Sequence, residues 1–273
     1  MLVISNTEEL QAMTKNEFRG HLPEMVNSKI YFENASANNL IYCEEGVKLE
    51  NCAIRMLSSN SVLYLSKSKQ PYRLKIMIYH NSVVAFGKDN YFNRDIQAVI
   101  TEQKNVIIGS DNLFSLEVWM RTGDSHLIYE IDSKKRMNAS KSIYIGDHNW
   151  IGQQALILKG TQISSGAVVG ANSVVTGKKI PVNTCFAGNP ARLTKTGIFW
   201  DPKCSHSFRD KETADSMEFN ADPGIHIFEY KEEEYLDYQE IEKNLKAAKT
   251  AAEKFEVIDK VMKNPKHNRF SFA

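Results

Sequence analysis

Read in steps of six, residues 145–179 run IGDHNW, IGQQAL, ILKGTQ, ISSGAV, VGANSV, VTGKK. Ile145, Ile151, Ile157, Ile163, Val169 and Val175 open the six steps, and small residues follow four places later at Ala155, Thr161, Ala167 and Ser173. Gly146, Gly152 and Gly170 come directly after an aliphatic. A helix would carry its apolar stripe at spacings of three and four, and a six-residue step turns about 240° away from that stripe. A flat strand alternates with period two, but the glycines and polar pairs break the alternation at every sixth residue, as a chain turning a corner would. Three short sides make a triangular coil of 18 residues, with the aliphatic and the small residue inside and the polar residues at corners or outside. Stacked about 4.8 Å apart in parallel, such coils form a mainly β solenoid whose narrow interior needs Ile and Val in columns.

Working upstream, FGKDNYF (86–92), IGSDNLF (108–114) and IGDHNWI (145–151) read as one turn repeated. The first two are 22 residues apart, one coil plus a small insertion, and the last two are 37 apart, two coils plus one residue. NSVLYL (60–65) resembles NSVVAF (81–86), so the coils extend back to residues 30–40 in looser form. Residues 1–20 read as a short helix capped by Ser5 or Asn6, with Glu8 or Glu9 completing a capping box and the helix closing the open end. Beyond Asn189-Pro190 the six-residue pattern stops. Residues 197–228 are rich in Asp, Ser, Phe and Pro and read as an irregular arm. Ile241, Leu245, Ala248, Ala252, Phe255, Ile258 and Met262 have helical spacing, which suits a helix or helix pair packing on the solenoid, with a coiled-coil device as the rival. The expected organisation is a cap over 1–35, a β-helix over 36–196 with an extruded loop at 127–144, and an arm plus C-terminal helix over 197–273.

Composition narrows the function. The chain has 273 residues, 42% hydrophobic and 25% charged, which suits a folded globular protein. Thirty-four basic residues against 33 acidic ones leave a net charge of +1, so no global field favours nucleic acid or an anionic membrane. Cys43, Cys52, Cys185 and Cys204 form no CxxC pair and read as free thiols in a reducing compartment. MLVISNTEEL lacks the basic start and long apolar run of a secretory signal, and nowhere do about 18 apolar residues run together. The expectation is a cytoplasmic protein without a transmembrane segment.

TGDSH (122–126), HNWIG (148–152) and AGNPAR (187–192), in this order on this ruler, resemble the hexapeptide-repeat acyltransferases with a left-handed β-helix. The likeness spans roughly residues 84–196 and is greatest to small O-acetyltransferases of sugars, capsules and sialic acid. His126 and Trp150 stand 24 apart, as that family's catalytic His and coenzyme-site Trp commonly do. The resemblance implies direct acetyl transfer from acetyl-CoA to a hydroxyl, a homotrimer with sites in the clefts between prisms, and the left hand of the helix. Carried over residue by residue, it places Gln153, Ala171 and Thr176 along pantetheine and pyrophosphate, and Arg192, with Lys195, at the adenosine phosphates. It calls for no metal.

The chemistry can also be argued from the residues. A sugar hydroxyl attacks a thioester only if a base removes its proton as the bond forms. Histidine suits the task, because an ordinary imidazole is mostly neutral near pH 7. His126 lies 18 residues after Ile108, one coil on, beside the extruded loop. A carboxylate should orient its ring: Asp124 is the nearest in sequence, with Glu117 and Asp111 as rivals. Trp150 points outward, covered either by pantetheine or by a trimer interface. Lys134, Lys135 and Arg136 in the loop would attract an anionic glycan, or form a solvated basic loop. Lys178 and Lys179 are also available to the phosphates, but read first as a solvated turn. The competing functions are N-acetylation of an amino sugar and a non-catalytic trimerising module. A γ-type carbonic anhydrase would need a second His five residues after the first, where Ile131 stands.

Overall fold

A computed structural model describes residues 1–271. The ruler becomes a three-sided prism. One face stacks eight strands from Glu17–Gly20 to Lys179–Ile180, a second stacks eight from Leu2–Ile4 to Val174–Val175, and a third stacks six from Tyr91–Phe92 to Arg192–Thr196. Neighbouring strands pair in parallel except at the two ends, where Leu2–Ile4 and Arg192–Thr196 run antiparallel to their partners. We call these the helix-covered, bare and short faces. The chain visits them in the order helix-covered, short, bare within each coil.

All six ruler positions are fully buried, as are Ala155, Thr161, Ala167 and Ser173. They form columns in register: Ile145 on Ile163 on Ile180, Ile151 on Val169 on Phe186, and Ile157 on Val175. Burying each such side chain is worth about 1.5–3 kcal/mol, which is why one aliphatic per side suffices to hold a coil.

At the N-terminus the expected short helix is present. Only Thr7–Gln11 (α1) is helical, with Asn6 as N-cap accepting from the Glu9 N–H and the Glu9 carboxylate accepting from the Ser5 N–H at 2.6 Å. Glu17–Gly20 pairs in parallel with Leu40–Cys43, so the winding starts inside the segment expected as a cap. Gly20 permits this start: its φ is +87°, and a Cβ there would lie 2.2 Å from the Cys43 carbonyl oxygen. Leu10 of α1 is fully buried against the first coil.

The strand Trp119–Arg121 on the bare face is followed by no strand until Ile143–Ile145, and the chain between them leaves the prism. There Tyr129 and Arg136 form an antiparallel bridge, making a small hairpin. At the C-terminus the helix-pair reading is the one the chain adopts: a short helix, Asp210–Asp215 (α2), lies in the arm, and Tyr238–Ala247 (α3) and Ala251–Met262 (α4) form the pair. Asp237 and Thr250 cap α3 and α4. Ile241, Leu245, Phe255 and Ile258 pack on Leu40, Val62, Val83, Ala85 and Ile107, outward residues of the helix-covered face. Tyr144 Oη donates to Glu242 at 2.5 Å and Tyr64 Oη to Asp259 at 3.0 Å, fastening each helix to a coil. Among the described residues, no helix is long and apolar enough to cross a membrane.

Candidate active site

His126 sits at the corner between the bare and helix-covered faces, exposed, five residues past Arg121, the last strand residue before that corner. Gly123 makes the turn possible: a Cβ on it would lie 2.0 Å from Ser140 Oγ and 2.7 Å from Thr101 Oγ1. Asn138 then clamps the turn from the returning arm of the loop. Its amide donates to the His126 carbonyl at 2.7 Å and to Asp124 Oδ2 at 2.9 Å, and its oxygen accepts from the Ile128 N–H at 3.0 Å. Lys159, one coil on, donates to Asp124 Oδ2 at 2.5 Å and to the Asn138 carbonyl at 3.0 Å.

The hydrogen bond from Lys159 holds the Asp124 carboxyl below its ordinary range, with Asn138 adding to the effect. Asp124 thus serves Lys159 and Asn138, not the His126 ring. Among the described residues, neither rival carboxylate makes a hydrogen bond to that ring. Glu117 accepts from Gln154 at 2.7 Å, and Asp111 meets His148 Nδ1 at 2.6 Å and Lys69. The imidazole has no hydrogen-bond partner among the described residues, so it stays free to meet an incoming group.

Of the three basic loop residues, Arg136 is already spent. Its guanidinium forks onto the Glu102 carboxylate at 2.5 and 3.0 Å, and Ser140 adds a further hydrogen bond to the same group. Arg136 and Ser140 together pull the Glu102 carboxyl down to about 2. Lys134 and Lys135 are exposed at the hairpin tip.

The remaining candidates lie elsewhere on the prism. Trp150 opens the strand on the short face, exposed, between Leu113 and Val168 in register, with its indole N–H 3.2 Å from Ser115 Oγ. Gln153 and Ala171 are exposed at the corner between the short and bare faces, in successive coils. That corner is tightly stacked: a Cβ on Gly152 would lie 2.6 Å from the Ala171 nitrogen, and one on Gly170 would lie 2.8 Å from Ala187 Cβ. A shallow edge without bulky side chains, next to an exposed indole, fits a slender extended chain such as pantetheine. Arg192 and Lys195 lie exposed on the last strand, with Lys195 opposite Cys185 on the short face. Thr176 follows the strand Val174–Val175 and lies at the same kind of corner as His126.

One chain therefore carries two separate groups. His126, Asp124, Thr176 and the loop lysines gather at one corner, while Trp150, Gln153, Ala171, Arg192 and Lys195 gather on the short face and its far edge. The bare face separates them.

Sequence reasoning did not single out Asn138, Lys159 or the cluster around His148. His148 is buried, stacked on Trp200 at 4.4 Å and on His226 at 4.6 Å. Burial raises the Asp111 carboxyl, but the hydrogen bonds from His148 and Lys69 more than offset it and leave it below its ordinary value. Burial lowers His226, and the neighbouring His148 lowers it further. Among the described residues, no group of three or more His, Cys, Asp or Glu is placed to hold a metal ion.

No protein-family model matches the chain. It is 30% identical over 171 residues to the polysialic acid O-acetyltransferase of Neisseria meningitidis, a match covering 62% of this chain and 79% of that one. It is 37% identical over 102 residues to the polysialic acid O-acetyltransferase of Escherichia coli O1:K1 / APEC, covering 37% of this chain and only 33% of the relative. The crystal structure of the polysialic-acid-specific acetyltransferase NeuO superposes with a TM-score of 0.63 at 29% identity, covering 73% of this chain and 92% of that one. The shared prism, the stacked ruler and the 79% span of the meningococcal relative together place this chain in the hexapeptide-repeat acyltransferases with a left-handed β-helix, among their O-acetyltransferases.

Proposed function

We propose that the protein transfers the acetyl group of acetyl-CoA to a hydroxyl of an anionic bacterial surface glycan, with His126 as general base, in a cleft completed by a neighbouring copy. The observation that carries this reading is the division of the site residues into two groups on different sides of one prism. A single protomer cannot bring His126 and Trp150 to one thioester, but a closed ring of three can. The helices α3 and α4 occupy one face, which leaves the bare and short faces to meet neighbouring copies. The bare face of one prism then opposes the short face of the next. The exposed Trp119 and Met77 on the bare face and Tyr91 and Trp150 on the short face are the apolar surface such a cleft would cover. His126 and Trp150 differ by about one coil in height, about 4.8 Å, within reach of one substrate.

The reaction needs little else. As the glycan oxygen forms its bond to the acetyl carbonyl carbon, the hydroxyl proton passes to the imidazole, and the C–S bond breaks. The imidazolium then returns a proton to the departing sulfur, leaving an acetyl ester and a free thiol. Asn138 fixes the backbone at His126, so the ring is presented from a rigid turn and pre-organised for attack. Acetyl-CoA supplies the activated acetyl group. Trp150, Gln153 and Ala171 hold its pantetheine, while Arg192 and Lys195 meet its phosphates through charge-assisted hydrogen bonds. Lys134 and Lys135, exposed at the hairpin tip with no ion-pair partner among the described residues, suit an acidic acceptor, and the relatives named for polysialic acid point the same way. Arg136 acts instead as the anchor of the hairpin.

Thiol release from acetyl-CoA in the presence of anionic and neutral glycans tests the reading. His126→Ala should lower kcat by about 10²-fold or more while coenzyme affinity stays unchanged. Undiminished transfer by that variant would refute the assignment of the base.

A further inference from the structure

Trp150 stands open on a narrow face, with the modest side chains of Leu113 and Val168 on either side in register. One hydrogen bond to Ser115 ties it down. A single bond leaves an exposed ring several rotamers to choose from. Next to it lies a second indole, Trp200, with ring centroids 6.3 Å apart and planes at 45°. Trp200 belongs to the arm, yet it is buried.

Trp200 is fastened to one residue of the prism in three ways, one of them the His148 Nε2 contact with the Trp200 carbonyl at 3.1 Å. Its indole N–H donates to the His148 carbonyl at 2.9 Å, and its ring lies flat on the His148 imidazole, 4.4 Å away at 12°. His148 is itself fixed by Asp111 at Nδ1, and it precedes Trp150 by two residues. Asp89 and Asp111 hold the equivalent left-handed corner position in the two preceding coils, where φ is 57° and 58°, and His148 holds it here with φ 51°. Of the three corners, only this one offers a ring on which an indole can sit.

Anchoring the arm does not require this arrangement. Asn183 already does so from a neighbouring corner, donating to the His226 carbonyl at 2.9 Å and accepting from the Phe228 N–H at 2.7 Å. Its own carbonyl accepts from the Ile198 N–H at 3.0 Å. Trp200 supplies what Asn183 cannot, a rigid wall against the Trp150 ring.

We propose that Trp200 is a positioning residue for the coenzyme: seated on His148, it fixes the Trp150 indole in the orientation that packs against the acyl carrier. The inference rests on the assignment of Trp150 to coenzyme made above, and it makes the C-terminal arm a functional part of the site. The energetic logic is pre-organisation, since a ring already held in place loses less freedom when the coenzyme arrives.

Titration of the full chain with coenzyme A, alongside steady-state kinetics with acetyl-CoA, tests it. Trp200→Ala should weaken coenzyme A binding about fivefold or more and raise the acetyl-CoA KM by a similar factor, with kcat kept within about twofold. Trp200→Phe, which returns a ring to His148, should recover most of the loss. In a Trp150→Ala background Trp200→Ala should have no further effect, because the ring it positions is gone. Equal binding by wild type and Trp200→Ala, or fully additive losses in the double variant, would overturn the proposal. Should Trp200→Ala lose its fold by circular dichroism, Trp200→Leu, which keeps the apolar cover over His148, gives the same reading. A wild-type chain that leaves coenzyme A unbound removes the coenzyme assignment and this inference together, whereas tight wild-type binding that ignores Trp200 removes this inference alone.

Discussion

Asn90, Asn112 and Asn149 follow the left-handed corner residues in three successive coils and tie those coils together. The Asn112 N–H donates to Asn90 Oδ1 at 2.9 Å, the Asn149 N–H to Asn112 Oδ1 at 2.8 Å, and the Ala167 N–H to Asn149 Oδ1 at 2.8 Å. Each amide oxygen satisfies a backbone donor that a tight corner would otherwise bury unpaired. Asn112→Ala should therefore cost about 1–3 kcal/mol, seen as a lower thermal midpoint, since the Asn149 N–H loses its acceptor inside the prism. An unchanged midpoint would mean that water replaces the amide there. The recurring DN, DN and HN pairs made this corner visible in the sequence. The significance of the His was hidden, because its ring partners Trp200 and His226 lie 52 and 78 residues further on.

The hairpin beside His126 shows how charge pairing decides what a basic residue is for. Lys134, Lys135 and Arg136 look alike in sequence, yet Arg136 meets Glu102, 34 residues upstream at a left-handed corner with φ 52°. That carboxyl is held at about 2, below its ordinary 4.5. A depressed carboxyl contributes its stabilisation in full above the ordinary value and loses it as pH falls toward the folded one. Hydrogen exchange in residues 128–137, corrected for intrinsic rates, should accelerate between pH 4.5 and 2 while the coils stay protected. Glu102→Gln should loosen the same segment at neutral pH, and equal protection in both proteins would show that the ion pair does not hold the hairpin. The C-terminal helices lie at the legible end of the scale. Of their seven periodic apolar residues, only Ala252 is not buried, because the 3.6-residue period already stated which side meets the prism. The division into two helices at Lys249 came from the cap at Thr250, a local signal within a charged stretch.

At the scale of the whole molecule, the ruler was enough to read the prism, because six aliphatics at one spacing admit few other folds. The looser N-terminal coils were less legible: they wind from Glu17, carried by strands such as Lys29–Phe32 and Ala53–Met56 whose spacing departs from six. The candidate site residues came from the resemblance carried by TGDSH, HNWIG and AGNPAR, and their separation onto two sides of one chain shows only in the structure, since it depends on which corner each residue turns. A chain with a net charge of +1 has no global attraction for an acidic glycan, so on the proposed reading acceptor capture would fall to the exposed Lys134 and Lys135. Lys134→Glu with Lys135→Glu should raise the KM for an anionic glycan about tenfold, with little change for a neutral one, and should flatten its salt dependence. Equal effects on both acceptors would point to a disturbed hairpin instead.

The central claim is that each site takes its base from one protomer and its coenzyme face from the next, and complementation between two inactive chains tests it most directly. His126→Ala and Trp150→Ala proteins are mixed, unfolded and reassembled together, then assayed at low acetyl-CoA beside each parent reassembled alone. If the site spans two copies, random assembly restores about a quarter of the clefts to wild type, and activity should rise well above both parents. Activity no greater than the mean of the two parents would contradict the account, because it would place His126 and Trp150 in service of the same chain.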